Sequence, residues 1–275
     1  MGGYVTARKQ HRSIVGFFAL AYALSWLIEV PLALRAQGLL DVPVPFFAHY
    51  VAAYGPMISA IVVTGLEGGR RGLKDLLHRM FRWRVRLVWW VVALAPLLAY
   101  GVVAVAIRLM MGTWPDVGAM SHIAYLPDLG IGALIFWIVT FGLGEETGWR
   151  GFALPRLQEG RSALSATVVL WALWAVWHLP MFFYRYDGVP PMGFLLGLLA
   201  GAIILTWLYN SSEGSILLAG VWHGAFNFTT ACVACGIGTA TAVLSTLVMV
   251  WAVIVVIWFK PGTLSHSARQ EVSIS

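Results

Sequence analysis

The sequence predicts an all-α fold: a polytopic membrane helix bundle of about eight transmembrane helices with both termini inside. Three observations predict it. Of 275 residues, 60% are hydrophobic and 11% are charged, about half the charge density of an ordinary soluble domain. The mean hydropathy is +0.80, which leaves too little polar surface to cover a water-soluble globule of this mass. The apolar residues also fall in blocks about as long as a bilayer core is thick. The net charge of +6 comes from cations placed between those blocks and not along one basic face, so nucleic acid is not expected as a partner. Two cysteines exclude a disulfide scaffold.

Arg8, Lys9 and Arg12 precede the first block, residues 13–34, which as a helix rises roughly 33 Å. A cleaved signal peptide has a shorter apolar core and a small-residue cleavage site, so the block is expected to be retained as the first span. Further blocks run over residues 46–66, 87–111, 129–146, 163–184, 192–209, 215–235 and 239–259. With the N-terminus inside, the inner segments hold all but three of the 18 Lys and Arg residues, leaving Arg35, Arg108 and Arg185 outside. That asymmetry sets the orientation and places both termini in the cytoplasm. The longest inner loop, residues 67–86, carries Arg70, Arg71, Lys74, Arg79, Arg82, Arg84 and Arg86. Within it Leu73, Leu76, Leu77, Met80 and Phe81 recur at helical spacing, the pattern of a basic amphipathic helix on an anionic membrane surface. In the sixth block Gly193, Gly197 and Gly201 share one face and are expected to admit a neighbouring backbone. Neither an internal repeat nor a linker divides the chain, so a single transmembrane domain is expected over residues 1–275.

Polar residues that interrupt apolar spans need a reason, because a charge at bilayer depth costs on the order of 2.5 to 3.5 kcal/mol. Three interruptions stand out: Glu145, Glu146 and Arg150 at the cytoplasmic end of the fourth block, His178 in the fifth, and His223 with Asn227 in the seventh. Glu146 and Arg150 are four apart, so on a helix they can form an ion pair that offsets the burial of each charge. Glu145 points about 100° away and is the freer carboxylate, available as a general base. His223 and Asn227, also four apart, present two donors to a developing oxyanion. Trp174 shares a face with His178. A base, a second titratable group and an oxyanion pair are what hydrolysis of an amide by activated water requires. Taken singly, each motif is equally compatible with a packing histidine or an interfacial Glu-Arg clamp.

At these residues the sequence resembles the CAAX prenyl protease and bacteriocin-processing (CPBP, or Abi) family of intramembrane proteases. The resemblance rests on Glu145-Glu146-x-x-x-Arg150, Trp174-x-x-x-His178 and His223-x-x-x-Asn227, each on its own span, and covers a catalytic core of about residues 129–228. Trp174 departs from the phenylalanine usual in the family. The resemblance implies that Glu145 activates water with help from His178, that His223 and Asn227 stabilise the oxyanion, and that Glu146 and Arg150 hold the first motif in place. It also brings a metalloprotease label, for which Glu145, His178 and His223 are the candidate ligands with a fourth position open. The His-Glu-x-x-His zinc signature is missing. A metal-free glutamate mechanism is favoured, with a divalent metal such as zinc left open. The implied partners are a protein or peptide substrate, with or without a lipid, and the bilayer itself. The implied location is the cell membrane, multi-pass, on a bacterial plasma-membrane pattern, with the active site opening towards the cytoplasm.

One geometric demand follows. His223 lies roughly 12 Å into its block and His178 roughly 22 Å into its own, so a tilted fifth helix, or one beginning near Val168 after a turn over residues 155–160, is expected to bring them level. Other residues receive plainer readings: Glu29 reaching the interface beside Pro31 or, less favoured, lining the cavity, His49 interfacial, Trp89, Trp90 and Trp207 in the aromatic belt, and Cys232 and Cys235 as small helix residues. Two further function classes stay open, a small transporter lined by the same polar groups and a non-catalytic immunity or scaffold protein.

Overall fold

In the computed structural model residues 2–41, 43–114, 122–123, 126–186, 188–230, 238–268 and 270 are described, and their regular secondary structure is helical throughout. The helices are α1 (Gly2–Ala36), α2 (Ala48–Ala52), α3 (Gly55–Met80), α4 (Leu87–Ala93), α5 (Ala95–Met111), α6 (Gly132–Trp137), α7 (Gly144–Gly148), α8 (Leu154–Gln158), α9 (Ala163–Trp177), α10 (Pro191–Ser211), α11 (Ile216–Thr230) and α12 (Gly238–Thr263). Four stretches are long and apolar enough to cross a membrane: Ser13–Ala36, Ala48–Met80, Pro191–Ser211 and Ala240–Thr263. The pair α4 and α5, bent by 55° at Leu94, makes a fifth if taken as one span. By length and composition the described residues therefore support four or five spans and do not establish eight. The reason is physical: α9 has 15 residues and rises about 22 Å, short of a bilayer core of about 30 Å.

The fourth block departs most from expectation. Instead of ending near Glu146, the chain stays helical from Gly132 to Gln158: α6, a π-helical turn (Ile138–Leu143), α7, a second π-helical turn (Trp149–Ala153) and α8. Glu145 and Glu146 thus lie about 20 Å from the Gln158 end at about 1.5 Å per residue. Ser162 caps α9 by accepting the Ser165 N–H, so the return helix starts at Ala163 and not near Val168. Of residues 155–160, expected to be an interfacial turn, 155–158 belong to the last turn of the outgoing helix and 159–160 make the turn. Running out and back over similar lengths brings the end of α9 level with Glu145, which meets the geometric demand without a special tilt.

This helical path is the centre of the bundle. α7 packs against α3 and α11, while α1 packs on α3 and sends two rings onto the second π-helical turn. Phe17 of α1 stacks on Phe152 at 4.7 Å and Phe18 on Trp149 at 5.8 Å, while Trp149 meets Trp177 edge-on at 5.9 Å. All five rings are buried, and aromatic side chains bury about 150–250 Å² each. Where backbones approach most closely, glycine is obligatory. A Cβ on Gly148 would sit 2.7 Å from the Pro56 carbonyl oxygen of α3, and Cβ atoms on Gly142 and Gly224 would run into the Gly220 and Ile138 backbones. The stripe on α10 does not serve this purpose: Gly193 and Gly201 have nothing within 4 Å, and Gly197 only the tip of Met249. The small residues that matter are those of the motif helix and α11, because there the polar site must be drawn together.

Several plainer expectations are corrected. Glu29 does not reach an interface; it is fully buried, and both carboxylate oxygens are sealed without a partner. His49 is also buried and bonds through Nδ1 to the Tyr184 hydroxyl at 2.8 Å. Trp207 is a core residue between Trp89, Trp251 and Phe259. Cys232 and Cys235 lie outside the described residues.

Adding a methyl group at Gly148 forces α3 away from α7, and overpacking typically costs about 1–3 kcal/mol. Gly148→Ala is expected to lower the detergent melting temperature by several degrees, whereas Gly201→Ala leaves it unchanged. Equal behaviour of the two would refute the assignment of the close crossing.

Candidate active site

The two π-helical turns flank the five residues Gly144–Gly148 that carry both glutamates. A π turn widens the helix and re-aims the side chains beside it, and such turns occur frequently at functional sites. Glu145, Glu146, Arg150, His178 and His223 are all buried. Asn227 is half-buried, one turn along α11 from His223.

Glu146 and Arg150 form the ion pair that their spacing predicts, with Arg150 Nη1 donating to Glu146 Oε1 at 2.9 Å. The same oxygen is 2.8 Å from His223 Nδ1. A carboxylate accepts, so Nδ1 carries the proton and donates. Glu146 is therefore more than a clamp within its own helix: it ties α11 to the motif helix. The Arg150 guanidinium also lies over the Trp174 ring at 4.7 Å, a cation–π contact strengthened by desolvation.

Glu145 is held by tryptophans. Its Oε2 accepts from Trp174 Nε1 at 2.9 Å and from Trp149 Nε1 at 3.3 Å. Trp149 stands four residues after Glu145, the spacing that pairs Glu146 with Arg150, so the sequence carried a signal for it that the reading of charged residues alone passes over. With Oε2 occupied, Oε1 has no hydrogen bond among the described residues, and it is not one of the sealed polar atoms.

His178 caps the C-terminal end of α9, before a 3₁₀ turn (Leu179–Phe183). Its Nδ1 is 2.8 Å from the Trp174 carbonyl oxygen. A carbonyl only accepts, so Nδ1–H donates and Nε2 keeps its lone pair. α1 steadies this end of α9: Trp26 Nε1 donates to the Trp177 carbonyl at 3.0 Å and the Tyr22 hydroxyl to that of Leu173 at 2.6 Å. The Trp174 ring sits 5.5 Å from the His178 ring and 5.6 Å from the His223 ring, so both imidazoles converge on one indole. Neither Nε2 is bonded among the described residues, and neither is sealed.

The arrangement thus gathers three unengaged acceptor atoms, Glu145 Oε1 and the two imidazole Nε2 atoms, around Trp174, with the Asn227 amide one turn away. Among the described residues no group of three His, Cys, Asp or Glu side chains is placed to hold a metal ion.

A buried helical scaffold carrying paired glutamates and two histidines defines a membrane-embedded helical protein with a cluster of titratable groups at its core. Comparison with known proteins narrows the class. Residues 127–229 match the family described as "Rce1-like: Type II CAAX prenyl endopeptidase Rce1-like", a segment that contains every residue of the site. The chain is also similar to "CAAX prenyl protease 2" of Methanococcus maripaludis, at 25% identity, with 62% of this chain and 67% of the relative covered. Both findings support the CAAX prenyl protease and bacteriocin-processing family for this chain, and with it a protease embedded in the membrane.

Two substitutions test the geometry. Trp174→Phe keeps the ring over Arg150 and removes the shorter bond to Glu145; a bond to a charged group contributes about 1.5–3 kcal/mol, so turnover is expected to fall at least about tenfold with an unchanged circular dichroism spectrum. Arg150→Met leaves Glu146 buried beside His223 alone. Removing one partner of a buried pair costs on the order of 3 kcal/mol, which a large drop in detergent melting temperature would register.

Proposed function

We propose that the chain is an intramembrane endopeptidase that hydrolyses peptide bonds of membrane-associated protein or peptide substrates by glutamate- and histidine-activated water. The observation that carries this reading is the grouping of Glu145 Oε1, His178 Nε2 and His223 Nε2, each unbonded while the rest of its side chain is held. Water placed between Glu145 and His178 loses a proton to Glu145 as its oxygen attacks the scissile carbonyl carbon. The negative oxygen of the tetrahedral intermediate is met by the Asn227 amide N–H and by His223 once its Nε2 is protonated, a charge that Glu146 balances through Nδ1. Collapse breaks the C–N bond, and Glu145 returns its proton to the leaving amine. In this reading the water is activated by side chains, without a metal.

The substrate class follows the family: a membrane-bound chain processed near one end, of CAAX or bacteriocin type, reached from the cytoplasmic side of a cell membrane. The excess of cations in the alternate loops supports that orientation.

In proteoliposomes, Glu145→Gln and His223→Ala are each expected to lower turnover of a fluorogenic prenylated peptide by at least about 10²-fold, Glu145→Gln with expression and melting temperature retained and His223→Ala with a lower melting temperature because it removes a partner of the buried Glu146. Continued turnover by both variants would refute the catalytic roles. Treatment with 1,10-phenanthroline is expected to leave the wild-type rate unchanged; a loss reversed by zinc would overturn the metal-free mechanism.

A further inference from the structure

The basic segment that follows Gly69 is not only a surface feature. Gly69 takes a positive φ of 52° and breaks the direction of α3, and the chain beyond it exposes Arg70, Arg71, Lys74 and His78. Two side chains on the opposite face turn back into the bundle, and both land on one residue of the motif helix. Leu76, 1% exposed, packs over Gly151 together with Ile216: a Cβ there would be 3.2 Å from Leu76 Cδ1 and 2.6 Å from Ile216 Cδ1. Arg79 donates from Nη1 to the Gly151 carbonyl at 2.8 Å and to the Tyr209 hydroxyl at 2.8 Å, with its Nε and Nη2 held on Asp75 one turn earlier, each at 2.8 Å.

The sequence explains why the Gly151 carbonyl accepts this partner. Gly151 lies in the second π-helical turn; where the helix returns to the α register at Leu154, the residue four after Gly151 is Pro155, which has no N–H to give its carbonyl. The carbonyl is left without its α-helical donor in the last turns of the motif helix, directly after Arg150. Leaving such a group unmet in a buried setting costs about 1–3 kcal/mol. Arg79 supplies the missing donor from another element.

We propose that Arg79 is a positioning residue of the active site: by donating to the Gly151 carbonyl that Pro155 leaves open, it docks the basic surface segment onto the motif helix and holds Arg150, and through it Glu146 and His223, in register. For its effect on turnover the proposal rests on the peptidase reading; for its effect on the helix it does not.

The experiment compares wild type, Arg79→Gln, Arg79→Lys, Pro155→Ala and the double variant Arg79→Gln/Pro155→Ala in detergent, by hydrogen exchange over residues 149–158 and by turnover in proteoliposomes. Arg79→Gln is expected to raise exchange over that stretch and to lower kcat about tenfold with KM within twofold. Arg79→Lys, which keeps a donor, is expected to fall between. Pro155→Ala restores an N–H for the carbonyl, so the double variant is expected to recover wild-type exchange and to come within threefold of the wild-type rate. A double variant that behaves like Arg79→Gln, or an Arg79→Gln protein with unchanged exchange, overturns the proposal. If no form, wild type included, cleaves the peptide, the peptidase reading fails and the exchange pattern still decides the role of Arg79.

Discussion

The structure is organised around a carboxylate that has been taken out of water. Glu146 lies at 0% exposure and one of its oxygens serves both Arg150 and His223. In so low a dielectric a lone carboxylate is prohibitively costly, so the two elements that supply its partners cannot drift apart. That requirement explains the glycines at the crossing of α11 with the residue 138–143 turn, which let the backbones approach far enough for an imidazole to reach across. It explains as well the Trp174 ring over the guanidinium, which covers a charge that hydrogen-bonds a single carboxylate oxygen, Glu146 Oε1.

Around that charge cluster the bundle uses aromatic packing to hold the neighbouring carboxylate still while leaving one of its oxygens open. Trp149 is clamped by Phe18 and Trp177, and Trp174 is wedged among Arg150 and the two histidines. Because both rings are fixed, the indole N–H groups that meet Glu145 Oε2 come preoriented, which is what electrostatic preorganisation of a reactive group requires. The histidines follow the same logic: each spends Nδ1 on an acceptor-only partner, so each turns Nε2 towards the shared space. A side chain with one end satisfied and the other idle is the recurring unit of the site.

Much of the site was legible before any coordinates. A four-residue spacing on a helix brings Glu146 to Arg150 whatever the rest of the chain does, and an ionisable group inside an apolar block announces itself by its cost. The level at which the motifs sit was not legible. Hydropathy places an edge where charge begins, at Glu146, yet the helix runs on to Gln158 because Arg150 and its neighbours are neutralised by packing and pairing. Glu29 and His49 were misplaced for the converse reason: near the end of a block, a titratable residue is indistinguishable in sequence from one that reaches water. The glycine stripe of α10 shows the same limit, since periodicity defines a face but not what lies opposite it.

The sequence by itself determined a helical membrane protein and the local pairings within each helix, because hydrophobic period and i to i+4 geometry act within one segment. Tertiary structure alone decided which carboxylate His223 meets, that two tryptophans hold the other, and that Arg79 donates to the Gly151 carbonyl four residues before Pro155. Those contacts join residues far apart in the chain, and the close packing that creates them depends on the shapes of several helices at once.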